Sequence, residues 1–159
     1  MKLRSLCGWS AVAGLALVTG CGGGAAPTAP SAPRSFLAGT WTGTLTIERE
    51  GEPTSSGPIT WMFEVVPDTN LQTFRTTIRS QHAWLPITTT VTTAITSATP
   101  PARISTQGDY ASPRGCTGSL LSMGTADATR IDADFSGVDC SSLAQSTFRG
   151  RVSLTKSGG

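Results

Sequence analysis

The chain has 159 residues, of which 12 are basic, 10 acidic and 38% hydrophobic. That is room for a single modest core and too little for two. Two of the cations, Lys2 and Arg4, sit at the extreme N-terminus, and the rest of the chain carries ten of each sign without clustering, which excludes an electrostatic nucleic-acid surface.

Residues 1–20 read as a targeting segment. Lys2 and Arg4 precede an apolar run over residues 6–18, shorter than the roughly 20 residues needed to span a bilayer. The run ends Val18-Thr19-Gly20-Cys21. This order of aliphatic, small, small and cysteine resembles the lipobox of bacterial lipoproteins. The resemblance implies cleavage before Cys21 and transfer of a diacylglycerol group to its thiol, with palmitate among the acyl chains and the membrane as partner. Gly22 stands where aspartate would retain a lipoprotein at the inner membrane. In a cell with two membranes, the resemblance therefore implies the outer one, facing the periplasm or the cell surface.

Residues 21–35 follow as the lipidated cysteine and a Gly/Ala/Pro linker that disfavours helix and cannot form a core. Extended, the linker reaches up to about 40 Å. With Cys7 cleaved away and Cys21 acylated, Cys116 and Cys140 remain as an even pair in an oxidising compartment. A disulfide between them is expected, stabilising the domain by roughly 3–4 kcal/mol.

Residues 36–156 form one domain, with 157–159 as a tail. Its hydrophobic period is two. Apolar and polar residues alternate over 39–47, 59–65, 74–78, 87–95, 103–110, 116–125, 130–135 and 147–155. Turn residues punctuate these runs at 52–57, 67–70, 99–101 and 112–115. About eight short strands predict an all-β antiparallel up-and-down barrel, with a β-sandwich as the alternative. Trp41, Leu45, Ile47, Trp61, Phe63, Phe74, Ile78, Val91, Ile95, Phe135, Phe148, Val152 and Leu154 then face inward. The first and last runs carry neither proline nor an inward charge to protect an open edge, so they are expected to pair and close the barrel. Glycines on their inward faces, such as Gly43 and Gly150, relieve crowding where the sheet bends. Cys116 and Cys140 lie symmetrically about Ala128. A hairpin centred there pairs Leu121 with Phe135, Met123 with Ala133 and Thr125 with Ile131 on one inward face.

At Leu37-Ala38-Gly39-Thr40-Trp41 the chain resembles the opening strand of lipocalin-like and avidin-like barrels. It is also similar there to small bacterial lipoproteins of unknown function. In lipocalins an arginine near the C-terminus packs over the tryptophan. That implies Arg149 or Arg151 here, although alternation turns both outward. Gly108-Asp109-Tyr110 partly echoes a lipocalin turn.

No residue set reads as catalytic, as a metal site or as a cofactor site. His82 stands alone without a nucleophile signature and is expected as a solvated loop histidine. Asp132, Asp134, Ser136, Gly137 and Asp139 resemble half of a calcium loop, but position twelve is Leu143 instead of glutamate. The two aspartates are better read as a polar outer strand face. Trp41, Trp61, Phe63 and Trp84 are the candidates for facing a ligand in a barrel lumen, against the plainer reading that they fill it.

Three function classes remain. A lipid-anchored barrel binding a small hydrophobic ligand needs an open apolar cavity. A module binding an envelope protein, such as an inhibitor of a secreted hydrolase or an assembly accessory, needs a filled barrel and an exposed loop cluster, for which residues 50–57 and 97–101 are candidates. An enzyme, the least favoured, needs polar groups converging on His82 or an aspartate pair.

Overall fold

The computed structural model describes residues 36–49, 51–67, 73–140 and 145–158. The targeting segment, Cys21, the linker, Glu50 and the turn over residues 68–70 lie outside the described residues.

Among the described residues, eight strands run in chain order: β1 Gly39–Glu48, β2 Ser55–Val65, β3 Thr73–Ser80, β4 Thr88–Ser97, β5 Ala102–Ala111, β6 Thr117–Ala126, β7 Arg130–Cys140 and β8 Gln145–Lys156. Each pairs antiparallel with the next, and β8 returns to β1, closing the barrel. The first and last strands therefore pair as expected, with Gly43 opposite Leu154, Leu45 opposite Val152 and Ile47 opposite Gly150. Closure leaves neither strand as an open edge.

Alternation decides which side chains fill the interior. All thirteen residues expected to face inward are buried, with Trp41, Leu45, Trp61, Phe74, Ile78 and Leu154 at zero exposure. The aromatics pack edge to face: Trp41 lies 6.4 Å from Phe63, and Phe63 lies 6.0 Å from Phe74, between ring centroids. Trp61 is tilted against Phe63 at 5.9 Å, and Phe135 stacks on Phe148 at 5.8 Å. Truncating one such aromatic to alanine costs about 3–5 kcal/mol. Three threonines also point inward at zero exposure. They satisfy one another in a chain, with Thr76 Oγ1 2.7 Å from Thr93 Oγ1 and Thr93 Oγ1 2.7 Å from Thr106 Oγ1.

Two sequence expectations are corrected. The turn over residues 52–57 is shorter than expected, because β2 already begins at Ser55. The β6–β7 hairpin is also shifted by one residue. Leu121 lies opposite Ser136, Met123 opposite Asp134 and Thr125 opposite Asp132, while Ala126 meets Ile131. Leu121 and Met123 therefore face out, at 40% and 58% exposure. The cause is the turn. Asp127 Oδ1 accepts hydrogen bonds from the Thr129 amide at 2.7 Å, the Thr129 hydroxyl at 2.8 Å and the Arg130 amide at 2.8 Å. The Asp127 amide donates to the Arg130 carbonyl at 2.9 Å. This pairs residues 127 and 130 around two loop residues, so the hairpin turns between residues 128 and 129 instead of on Ala128. A one-residue slip exchanges the two faces of a strand. The same bonds hold the Asp127 carboxyl below the usual carboxylate range, led by the Thr129 amide.

The seam between β1 and β8 is too close for side chains at its two glycines. A Cβ on Gly43 would collide with the Ser153 carbonyl, and one on Gly150 with the Thr46 carbonyl. Both obstacles are backbone and cannot swing away. Gly43→Val is therefore expected to lower the unfolding free energy by at least about 1–3 kcal/mol, the usual cost of overpacking. Urea denaturation would show this as a lower midpoint with one cooperative transition.

Candidate functional site: the far rim of the barrel

Strand directions sort the loops into two ends. The chain enters the domain at Phe36, at the end that also carries the β2–β3, β4–β5 and β6–β7 connections. The opposite end, here the far end, carries the β1–β2, β3–β4, β5–β6 and β7–β8 connections.

The entry end is plugged. Leu37 is fully buried, and its carbonyl accepts a hydrogen bond from Trp41 Nε1 at 2.8 Å. Lys156 Nζ lies 5.4 Å from the Trp41 ring centroid and donates to the Phe36 carbonyl at 2.6 Å. The cation over this tryptophan is thus Lys156. Arg149 and Arg151 are exposed on the outer wall, as alternation requires.

The far end is crossed by a continuous chain of polar and aromatic contacts. His82 begins it. Expected as a solvated loop residue, it is instead fully buried. Its Nε2 lies 3.0 Å from the Ser55 carbonyl, and its Nδ1 accepts the Trp84 amide at 3.1 Å. These partners fit an imidazole with its proton on Nε2. The ring is held close to Gly57, where a Cβ would clash with His82. Burial follows from the missing side chain at 57 and from the tight turn in which the Leu85 amide donates to the His82 carbonyl at 3.0 Å. With both ring nitrogens engaged by main-chain groups, His82 is placed to hold the β3–β4 turn against β2.

Trp84 comes next, half-buried, with its ring 5.6 Å from that of His82. It lies on the rim, apart from the interior aromatics Trp41, Trp61 and Phe63. The Arg49 guanidinium carbon sits 5.3 Å from the Trp84 ring centroid. Arg49 Nη2 is 3.6 Å from Asp139 Oδ2, and Arg114 Nη1 is 3.8 Å from the same oxygen. Asp139 Oδ1 accepts the Tyr110 hydroxyl at 3.2 Å. The Asp139 side chain is only 3% exposed. The Cys116–Cys140 disulfide, with Cα atoms 6.2 Å apart, ties the β5–β6 turn to the end of β7 beside this cluster. Arg114 is held in that turn by a hydrogen bond from its amide to Ser112 Oγ at 3.2 Å and by Gly115 at φ 84°.

Asp132 and Asp134 are elsewhere, on the outer face of β7. Asp132 accepts hydrogen bonds from Arg130 Nη2 at 3.0 Å and from the Ser153 hydroxyl at 2.8 Å. The Arg130 bond, then the Ser153 bond, keeps its carboxyl below the usual range. Asp134 pairs with exposed Arg151 at 3.5 Å. Leu143 lies outside the described residues. Among the described residues, no three His, Cys, Asp or Glu side chains gather to hold a metal ion.

Arg49 and Arg114 were not singled out from sequence, and Tyr110 and Asp139 were noted there only within the lipocalin echo and the half calcium loop, not as partners of each other. For Asp139 the signal was present. Phe135 faces inward, so the same parity turns residues 137 and 139 inward, and a charge there demands partners. The arginines lie in connections, where period two gives no direction.

The fold and the rim together define a closed, filled antiparallel barrel with a charged, disulfide-tied far end. No protein-family model matches the chain, and no curated protein is similar to it.

Burial, reinforced by the Asp139 charge and the hydrogen bond to it, pushes the Tyr110 hydroxyl well above the ordinary tyrosine range. Tyr110 is the only tyrosine in the chain, so its ultraviolet absorbance reports on this group alone. A raised folded pKa stabilises the fold below the unfolded value near 10, and this contribution fades as pH rises further. The expected titration shows no tyrosinate in the folded domain at pH 10–11, with ionisation appearing only together with unfolding. Tyrosinate absorbance at pH 10 with the circular dichroism unchanged would contradict it.

Proposed function

We propose that this chain is a cell-envelope lipoprotein, anchored through acylated Cys21, whose filled barrel is a rigid carrier presenting its far rim to a protein partner. The observation behind this is the packing of Trp41, Trp61 and Phe63. They are 0–2% exposed and lie against one another, so they occupy the space a small hydrophobic ligand would need. A filled interior shifts recognition to the loops. The far rim suits that role, because it lies opposite Phe36, where the tether joins. It also offers tryptophan and arginine side chains, the types that dominate interface energies. The reading is of a binding protein, since both His82 ring nitrogens are committed to the main chain. The resemblance of residues 37–41 to lipocalin-like and avidin-like barrels supports the scaffold and carries no ligand residues with it.

Two measurements test this reading. Cys21→Ala is expected to abolish membrane retention, because stable anchoring requires more than one acyl chain. A variant that still matures and sediments with membranes would refute the anchor. A photo-crosslinking residue in place of Glu52, exposed in the far β1–β2 turn, is expected to capture a second protein in the envelope. The same residue at Ala128, exposed at the entry end, is expected to capture none. A hydrophobic small molecule co-purifying in native mass spectrometry, with no crosslink at either end, would overturn the protein-binding reading in favour of a ligand-filled lumen.

A further inference from the structure

We propose that Arg49 and Arg114 form a recognition site for a carboxylate supplied by an acidic segment of the partner; this deepens the protein-binding reading above and rests on it. Two guanidinium groups share the single carboxylate of Asp139, and both approach the same oxygen, at 3.6 and 3.8 Å. Charge-assisted hydrogen bonds between such groups are normally 2.7–2.9 Å long. The two arginines thus have only loose compensation from Asp139, whose other oxygen is taken by Tyr110 at 3.2 Å. One positive charge remains in excess among these three groups.

The donors are also incompletely used. Among the described residues, buried Arg49 Nε meets no hydrogen-bond partner, and neither does the Oγ of Ser146. Ser146 lies opposite Asp139 in the β7–β8 ladder, and Arg49 reaches the Asp139 carboxylate through Nη2. Leaving a buried polar group unpaired is costly, and more so when it belongs to a charged side chain. An acceptor arriving at this rim would relieve that cost.

The site is preorganised for such an arrival. Arg49 is 12% exposed and lies against the Trp84 ring, which limits its rotation. Arg114 is 44% exposed and reaches solvent from a turn fixed by the disulfide next to it. An incoming carboxylate would meet the Arg114 fork first and Arg49 behind it. A planar fork matches a carboxylate through two parallel hydrogen bonds. On the outer wall, Arg130 and Arg151 offer no such arrangement, since they are already paired with Asp132 and Asp134 beside them.

The test uses the full chain purified in detergent micelles and labelled with 15N. The probe is an acetylated, amidated Asp-Glu-Asp peptide, added at constant ionic strength. Saturable shifts with one common midpoint are expected at the Arg49 and Arg114 Nε–H signals and the Trp84 indole signal. Arg114→Gln should weaken binding at least fivefold, Arg114→Lys should weaken it less, and Arg151→Gln should leave it unchanged. Shifts that do not saturate, or that are equal at Arg130 and Arg151, would overturn the proposal. So would inorganic phosphate binding more tightly than the peptide. A protein captured at Glu52 with equal yield from wild type and Arg114→Gln would also overturn it, while leaving the protein-binding reading intact. Saturable peptide binding with no protein captured at Glu52 would do the reverse.

Discussion

The antiparallel ladder between β1 and β8 is the constraint on which the other features depend. An eight-stranded meander without it would present two long rows of unpaired amides and carbonyls, and one apolar face open to water. Joining the strands gives those rows partners and turns one face of the sheet into an enclosed volume. The approach is so close that Gly43 and Gly150 face main-chain carbonyls of the neighbouring strand, where a side chain would collide. Lys156, the last residue of β8, is then brought over Trp41 and within reach of the Phe36 carbonyl. The seam therefore also holds the plug at the entry end.

Closure fixes the volume, and the inward side chains consume it. The two ends are then finished by different chemistry. The entry end uses an apolar leucine, an indole and one lysine. The far end uses a buried carboxylate between two arginines, a tyrosine hydroxyl, an indole and an imidazole held by main-chain groups. Burying Asp139 is tolerable only with such partners, because an ion removed from water without compensation costs several kcal/mol. Removing one partner would leave the rest exposed to that cost. The disulfide reinforces the arrangement by limiting how far the Arg114 turn can move from the end of β7. Rigidity at this rim suits recognition, since groups already held in place lose little entropy on binding.

Much of this was present in the amino-acid order. Period-two alternation placed all eight strands and the inward residues from Trp41 to Leu154, because a pleated strand reverses its side chains at every step. Unprotected first and last strands pointed to closure, and cysteine arithmetic pointed to the Cys116–Cys140 bond. Three-dimensional contacts decided the remainder. The β6–β7 register turned on one carboxylate, Asp127, choosing a two-residue loop, and that choice sent Leu121 and Met123 outward. His82 became a core residue because Gly57, 25 positions earlier, leaves room for it. The far rim was hardest to foresee, because Arg49 and Arg114 come from connections whose direction no period specifies. Only the closed barrel brings them to the same oxygen of Asp139. Alternation along a strand is a local property that sequence carries by itself; the meeting of residues from separate loops depends on strand order and register, which exist only once the chain has closed.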